Sequence, residues 1–415
     1  MTTTETSTAD KGLLRQRDFR LLWGGDLVSQ LGSQITMFVL PLLVISALGA
    51  TATEVGVLHA LYTAPFFALP LFVGVWLERR ARRPVMIAMD LCRAALVLTV
   101  PLATWLDALT LTQLYAVAVA VGSMTVVFDI AAASYVPRLV AAQHLESANS
   151  KLSADQAVGS VAGPGIAGWL NGVVGSASTL VLDGLSYLVS AVCLLRIRHR
   201  EVPAEPVERD VRRELADGLR AVFGNRYIRP IAIHAAIYNA GIELVTVGFL
   251  VHFVRDLGLG SGLYGVVLVV GGLGAICGAL LAPSAIARAG YGNAFTGALA
   301  LSTTSYFLLP WASGSAASVT SVAALGYFLG CVGSATGGVA SVTLRQRLTP
   351  PELHARMTAT YRLINFGAIP VGAALSGVLV DSLGAATVLW IAPVVLMAST
   401  LPVVLGPVRT LRSLD

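Results

Sequence analysis

The sequence predicts an all-α polytopic membrane protein with twelve transmembrane helices, and three observations carry that prediction. Of the 415 residues, 55% are hydrophobic and only 12% are charged, whereas an ordinary soluble domain carries about 25% charged residues. Apolar runs recur along the whole chain, each long enough to supply the roughly 20 residues that a helix needs to cross a bilayer. The basic residues between those runs fall almost entirely on alternate loops.

The apolar windows place spans near 19–48, 53–77, 84–106, 110–136, 147–172, 176–197, 228–254, 263–287, 293–312, 318–344, 355–380 and 385–406. The polar stretch before the first of them, "MTTTETSTADKG", lacks an apolar core and is not expected to act as a secretory signal, so the first span is expected to drive insertion. Lys11, Arg15, Arg17 and Arg20 precede the first span, and Arg79, Arg80, Arg82 and Arg83 join the second and third. Arg138 and Lys151 flank the fourth loop, and nine arginines lie in and around 198–227. Arg288, then Arg345, Arg347, Arg356 and Arg362, then Arg409 and Arg412 complete that side, while the opposite side has Arg255. Positive charge marks the cytoplasmic side, which predicts that both termini are cytoplasmic. A wrong number of spans would have scrambled this alternation. The expected order is a tail (1–18), a six-helix bundle (19–197), a linker (198–227), a second six-helix bundle (228–406) and a short tail (407–415). Within the linker, Val211, Leu215, Leu219 and Val222 recur at helical spacing. They predict an amphipathic helix on the cytoplasmic face, the alternative being a solvated linker.

The two halves align at a shift of 209 residues. Gly32, Gly56, Gly163, Gly168 and Gly175 match Gly241, Gly265, Gly372, Gly377 and Gly384, and Arg79 matches Arg288. One offset held through several helices is hard to obtain by chance, even with 41 glycines. Parallel repeats of this kind hold their substrate near the bilayer midplane, between halves that rock.

The segment Gly74-x-x-x-Glu78-Arg79-x-x-Arg82-Arg83 resembles the loop signature of the major facilitator superfamily, with Glu78 and Ala81 where aspartate and glycine are usual. The chain is thereby similar to transporters built as two six-helix pseudo-repeats. The resemblance implies a cytoplasmic gate in which Gly74 admits a neighbouring helix, Glu78 caps a helix N terminus and the arginines pair with acids or lipid headgroups. Topology charge alone is the alternative. "GSVAGPGIAG" in the fifth span resembles the antiporter signature of that superfamily through Gly159, Gly163, Pro164, Gly165 and Gly168, with Ala167 in place of a further glycine. It implies export. "RDFRLLWGGDLVSQLGSQI", "FDIAAASYVPRLV", "ELADGLRAVF" and "RMTATYRLINFGAIPVGAALSG" resemble the macrolide-efflux and enterobactin-exporter-like branch, in which an acid often stands where this chain has Ser33.

Charged side chains at membrane depth are costly and mark function. Asp26 lies about seven residues, or roughly 10 Å, inside the first span and shares a helical face with Gln30, Ser33 and Met37. Glu243 lies near the middle of the seventh span, one turn beyond Asn239, and its repeat partner is Gln34. These residues are the expected sites of proton or cation binding. Asp129 in the fourth span either carries a proton or pairs with Arg362 or Arg356 in the gate. Asp155, which begins the fifth span, serves coupling or packing. Asp183 is expected to be hydrogen bonded, Asp90 and Arg93 to pair locally, and His59, His234 and His252 to be simply hydrogen bonded, titration being the alternative for each. Tyr62, Phe66, Phe67, Tyr238, Phe249 and Trp311 are candidate aromatic contacts. No deeply buried lysine or arginine is expected on the cavity faces, which favours a neutral or cationic amphipathic substrate.

No phosphate loop, metal-ligand spacing or nucleophile motif is present, and Cys92, Cys193, Cys277 and Cys331 are scattered through apolar runs. The expectation is therefore a monomeric, non-enzymatic transporter in a bacterial inner membrane, with no cofactor, driven by the proton gradient and binding no nucleic acid. Its substrate would be a drug, macrolide or secondary metabolite. A siderophore exporter is the alternative within transport, and a receptor or scaffold is the alternative outside it. Arginine outnumbers lysine 26 to 2, as in proteins of high-GC genomes.

Overall fold

The computed structural model describes residues 13–78, 80–199, 201 and 211–411. Arg79 of the charged loop and most of the linker before 211 lie outside the described residues. The helices are α1 (Arg17–Leu48), α2 (Ala52–Ala68), α3 (Pro70–Glu78), α4 (Arg82–Trp105), α5 (Leu111–Leu139), α6 (Leu145–Val174) and α7 (Ser176–Arg196). After the linker come α8 (Val211–Phe223), α9 (Ile228–Leu250), α10 (Ser261–Ser305), α11 (Leu308–Trp311), α12 (Ala316–Leu348), α13 (His354–Leu383) and α14 (Ala385–Val404).

Twelve spans follow from these helices. Ten are long and apolar enough to cross a bilayer as they stand. An eleventh is the pair α2 and α3, bent by 53° where Pro70 starts the second piece. The twelfth is hidden in α10. A straight helix of its 45 residues would extend about 68 Å, more than twice the roughly 30 Å of hydrocarbon. Gly290 divides it, with φ of 76°. That left-handed backbone suits a residue without a side chain, and it allows two spans to meet with almost no loop. Gly175 (φ 79°) and Gly384 (φ 85°) make the equivalent joints between α6 and α7 and between α13 and α14. They are partners in the sequence repeat, so the repeat is kept in backbone conformation as well.

The described chain forms two compact units, 1–48 with 68–207 and 49–67 with 208–415. The first is built on a core that includes Phe19, Met86, Phe128, Tyr135 and Leu194. Its α1 passes α7 at Gly32, where an added Cβ would collide with Ser186 and Asp183. The second unit repeats this crossing between α9 and α14, where Gly241 faces Leu396 and Val395. α2 packs in the second unit: Gly56 lies against the backbone of Ala373 and Gly377 on α13.

The amphipathic linker helix is α8. Val222 joins the core formed by Ile228, Ile231, Phe295, Leu344 and Met357. Gly218 brings the helix against Thr360 and the Arg356 carbonyl of α13, and the Arg356 guanidinium binds Asp217 at 2.8 Å.

Candidate functional site

In the first unit the polar centre is organised by α4. Its middle carries Arg93, only 2% exposed, and one turn earlier Asp90, fully buried. Arg93 Nη2 donates to Asp90 Oδ1 at 2.5 Å, and the guanidinium lies over the rings of Phe128 (4.5 Å) and Tyr187 (4.3 Å). An ion pair in low dielectric holds together only when its geometry compensates for lost water, and here two ring faces add cation–π attraction. The local pairing of Asp90 and Arg93 is the one their spacing predicts. An arginine one turn from an aspartate neutralises its own charge locally, so a position in the middle of an apolar helix is tolerated.

Asp26 lies half-buried on α1, within the electrostatic influence of Asp155, Asp129, Arg93 and Asp90. With Arg93 held by Asp90, Asp155 and Asp129 are the further carboxylates in that neighbourhood. Asp155 is buried and accepts a hydrogen bond from Trp23 Nε1 at 2.9 Å. Asp129 is exposed on α5. Asp183 is buried and takes hydrogen bonds from Thr36 and, at 3.1 Å, from Ser186, while Ser33 and Tyr187 share a hydrogen bond of 3.0 Å.

The glycine–proline segment of α6 faces the same stripe of α1. An added Cβ on Gly159 would sit 3.7 Å from Gln30 and 3.6 Å from Gln34, and one on Gly163 would strike the Gln34 side chain. Gly168 is buried, and Pro164 and Gly165 are half-buried in a helix that continues through them. Sequence reading treated the polar stripe and the small-residue motif separately; the structure places them in contact.

In the charged loop, a Cβ added to Gly74 would meet nothing within 4 Å among the described residues. Within the first unit, the acid at the start of α4 is Glu201, which accepts the amides of Arg82 (2.7 Å) and Arg83 (2.6 Å). Arg83 in turn donates to the carbonyls of Leu194 and Leu195, both at 2.8 Å, at the end of α7. A carboxylate at a helix N terminus and a cation at a C terminus both complement the backbone dipole. Glu78 is half-buried at the end of α3. Arg362 is exposed with its guanidinium 5.7 Å from the Phe366 ring, and Arg356 is engaged by Asp217.

The second unit has its own centre on α9. Glu243 Oε2 lies 3.3 Å from His59 Nε2 of α2, with side chains 9% and 10% exposed. One turn away, Asn239 donates to the Ala235 carbonyl at 2.8 Å and to Asn365 Oδ1. Tyr238 shares a 2.8 Å hydrogen bond with Ser302. Phe249 contacts Phe253, Tyr264 and Tyr327 with ring centroids 5.1, 5.7 and 5.1 Å apart. His234 bonds to Ser399 and His252 lies 3.3 Å from Asp256, whereas His59 forms the pair with Glu243. Tyr62 and Phe66 are 6.3 Å apart. Phe67 is 43% exposed, and Trp311 is exposed beside Trp390. His59, Asn365 and Glu201 are the participants that sequence reading did not place, because each reaches its partner only through tertiary packing.

The Major Facilitator Superfamily model matches residues 22–369. An uncharacterised MFS-type transporter, y4rN, of Sinorhizobium fredii (strain NBRC 101917 / NGR234) is 28% identical over 257 residues, which are 61% of this chain and 62% of that relative. Among solved structures, a bacterial homologue of the iron transporter ferroportin in an inward-facing state has a TM-score of 0.75 at 18% identity, covering 94% of this chain and 98% of that one. The nucleoside transporter NupG has a TM-score of 0.78 at 12% identity, covering 93% and 99%. At such identities these two likenesses concern the fold. With a family model running through most of twelve apolar spans, the chain belongs to the Major Facilitator Superfamily and is a multi-pass membrane protein.

Proposed function

We propose that the protein is a proton-driven exporter of a neutral or cationic amphipathic small molecule, such as a drug, macrolide or secondary metabolite. It would work by alternating access as a monomer in a bacterial cytoplasmic membrane, both termini inside, without a bound cofactor. The observation that carries this reading is the half-buried Asp26 among Asp155, Asp129 and the Asp90–Arg93 pair. Carboxylates grouped at membrane depth have little structural use, and each favours protonation of its neighbours. Export, rather than uptake, is supported by the glycine–proline segment of α6 packed against the stripe that carries Asp26.

The test is substrate accumulation in cells with and without a protonophore. Collapsing the gradient raises accumulation in cells making the wild type and leaves it unchanged in cells making Asp26→Asn. The same variant retains downhill substrate exchange in proteoliposomes. Normal uphill, pH-dependent transport by Asp26→Asn overturns the assignment, and accumulation insensitive to the protonophore in the wild type overturns proton-driven export.

A further inference from the structure

The pair formed by His59 and Glu243 lies in the second unit and is not used by the Asp26 centre. It is one of three places at which α2 is fastened. At the N terminus of α2, the Asp381 carboxylate of α13 accepts the amides of Ala52 (2.9 Å) and Thr53 (2.7 Å). One turn on, Gly56 and Gly377 bring the two backbones so close that a Cβ on either would strike the other helix. The third fastening is the contact of 3.3 Å between His59 Nε2 and Glu243 Oε2 on α9.

This third contact differs from the other two in depending on a proton. Glu243 Oε2 is buried and receives no hydrogen bond of ordinary geometry from any described residue. A buried acceptor left without a donor is destabilising, the more so when charged. An imidazolium at ion-pair distance offsets that loss with a full opposite charge; a neutral imidazole supplies one uncharged N–H at most. The surrounding groups do not substitute for it. Tyr264 on α10 and Tyr327 on α12 feel the Glu243 charge, Glu54 on α2 accepts from the Thr51 amide at 2.7 Å, and Asp381 is committed to the helix end. His59 is the base of this set.

We propose that His59 and Glu243 form a proton-binding site, separate from Asp26, that governs how firmly α2 is held in the second unit. With one proton on the pair, imidazolium faces carboxylate and α2 is fastened at all three points. When that proton leaves His59 for water, a neutral imidazole and a buried carboxylate without a counter-charge remain. Separation of α2 from α9, with entry of water to the carboxylate, then becomes favourable. The site adds a second proton-binding step to the proposed transport cycle and rests on that reading for its use, although the conformational switch is defined without it.

The test uses the full chain in lipid nanodiscs, with the four native cysteines replaced by serine and spin labels at Leu61 on α2 and Val371 on α13. Neither labelled residue takes part in the three fastenings. Inter-label distances are measured from about pH 5 to about pH 9, the range in which a histidine titrates. The expected result is one short distance at the acidic end that gives way to a longer, broader population at the basic end. His59→Gln and Glu243→Gln each abolish the pH response, and Asp26→Asn preserves it. A wild-type distribution that does not change with pH overturns the proposal, as does a response that survives in either His59→Gln or Glu243→Gln. This readout needs neither substrate nor gradient. A failure of uphill transport with the distance response intact therefore counts against the export reading alone.

Discussion

Arg93 and Ser302 occupy equivalent positions in the two halves of the chain and do different work. Arg93 is a buried cation between two rings, with Asp90 beside it. Ser302 shares one neutral hydrogen bond with Tyr238. The same contrast runs through the whole centre. At the common shift of 209 residues, Asp26, Asp90, Asp129, Asp155 and Asp183 of the first half become Ala235, Leu299, Gly338, Ile364 and Ala392 of the second. In the other direction Phe249, Phe253, Tyr264 and Tyr327 correspond to Leu40, Val44, Val55 and Ala118. What the halves share is crossing geometry: Gly32 with Ser186 against Gly241 with Val395, and Gly175 against Gly384. The backbone scaffold is duplicated, and the chemistry is divided, with five aspartates and Arg93 in the first half, and an aromatic cluster with the single carboxylate of Glu243 in the second.

The strongest way to break this comparison is to remove the two central residues. Arg93→Leu leaves Asp90 buried without its partner, a loss of about 3–5 kcal/mol, whereas Ser302→Ala removes one neutral hydrogen bond worth about 1 kcal/mol. Thermal unfolding in detergent should show a large fall for the first and a small one for the second, and Arg93→Leu with Asp90→Leu should recover much of the difference. Equal effects of the two single variants would mean that the halves are not divided by charge.

A smaller effect is expected at the two glycine crossings of α6 and α13, which are comparably tight. A Cβ at Gly372 meets the backbone of Ala240, and one at Gly163 meets the Cβ of Gln34, an atom that side-chain rotation does not move. Gly372→Ala and Gly163→Ala should therefore each cost about 1–3 kcal/mol as an overpacked contact, in the same unfolding measurement. An unchanged midpoint for either would show that its two helices can move apart.

The joints should behave alike. Alanine at Gly175 or at Gly384 meets no neighbouring atom within 4 Å, so its effect is backbone strain alone, about 1–3 kcal/mol for such a conformation. The two values should agree within error, and a wide gap would mean that the scaffold is less symmetric than its dihedral angles. The mildest expected change is Glu201→Ala, which removes the acceptor of two helix-end amides in the first unit and should lower stability by about 1 kcal/mol. An unchanged midpoint would show that solvent replaces the cap.

How much of this was legible in the sequence follows the range of the interactions. The spans were readable because bilayer thickness sets a length that a continuous apolar run must meet, and even the joint at Gly290 falls in the gap between the eighth and ninth windows. The linker helix was readable from periodicity within four residues. The partners were not. Trp23 reaches Asp155, His59 reaches Glu243 and Glu201 reaches the start of α4 across long stretches of chain. No local pattern distinguishes those residues from others of their type. Gly74 shows the complementary limit: the segment has the spacing of a known signature, but spacing alone does not specify what packs against a glycine, and among the described residues none lies within 4 Å of a Cβ there.

The joint at Gly290 also bears on how the protein is made. Just beyond it, the Gly292 amide donates to the Leu411 carbonyl at 2.8 Å, and the carbonyls of Val408 and Arg409 fill the space where a side chain would stand. At ribosomal speeds of about 5–20 residues per second, those carbonyls are synthesised on the order of ten seconds after the turn they complete. The hairpin of the eighth and ninth spans must therefore enter the bilayer with its turn unfinished, and the segment at 408–411 closes it afterwards as a late clasp.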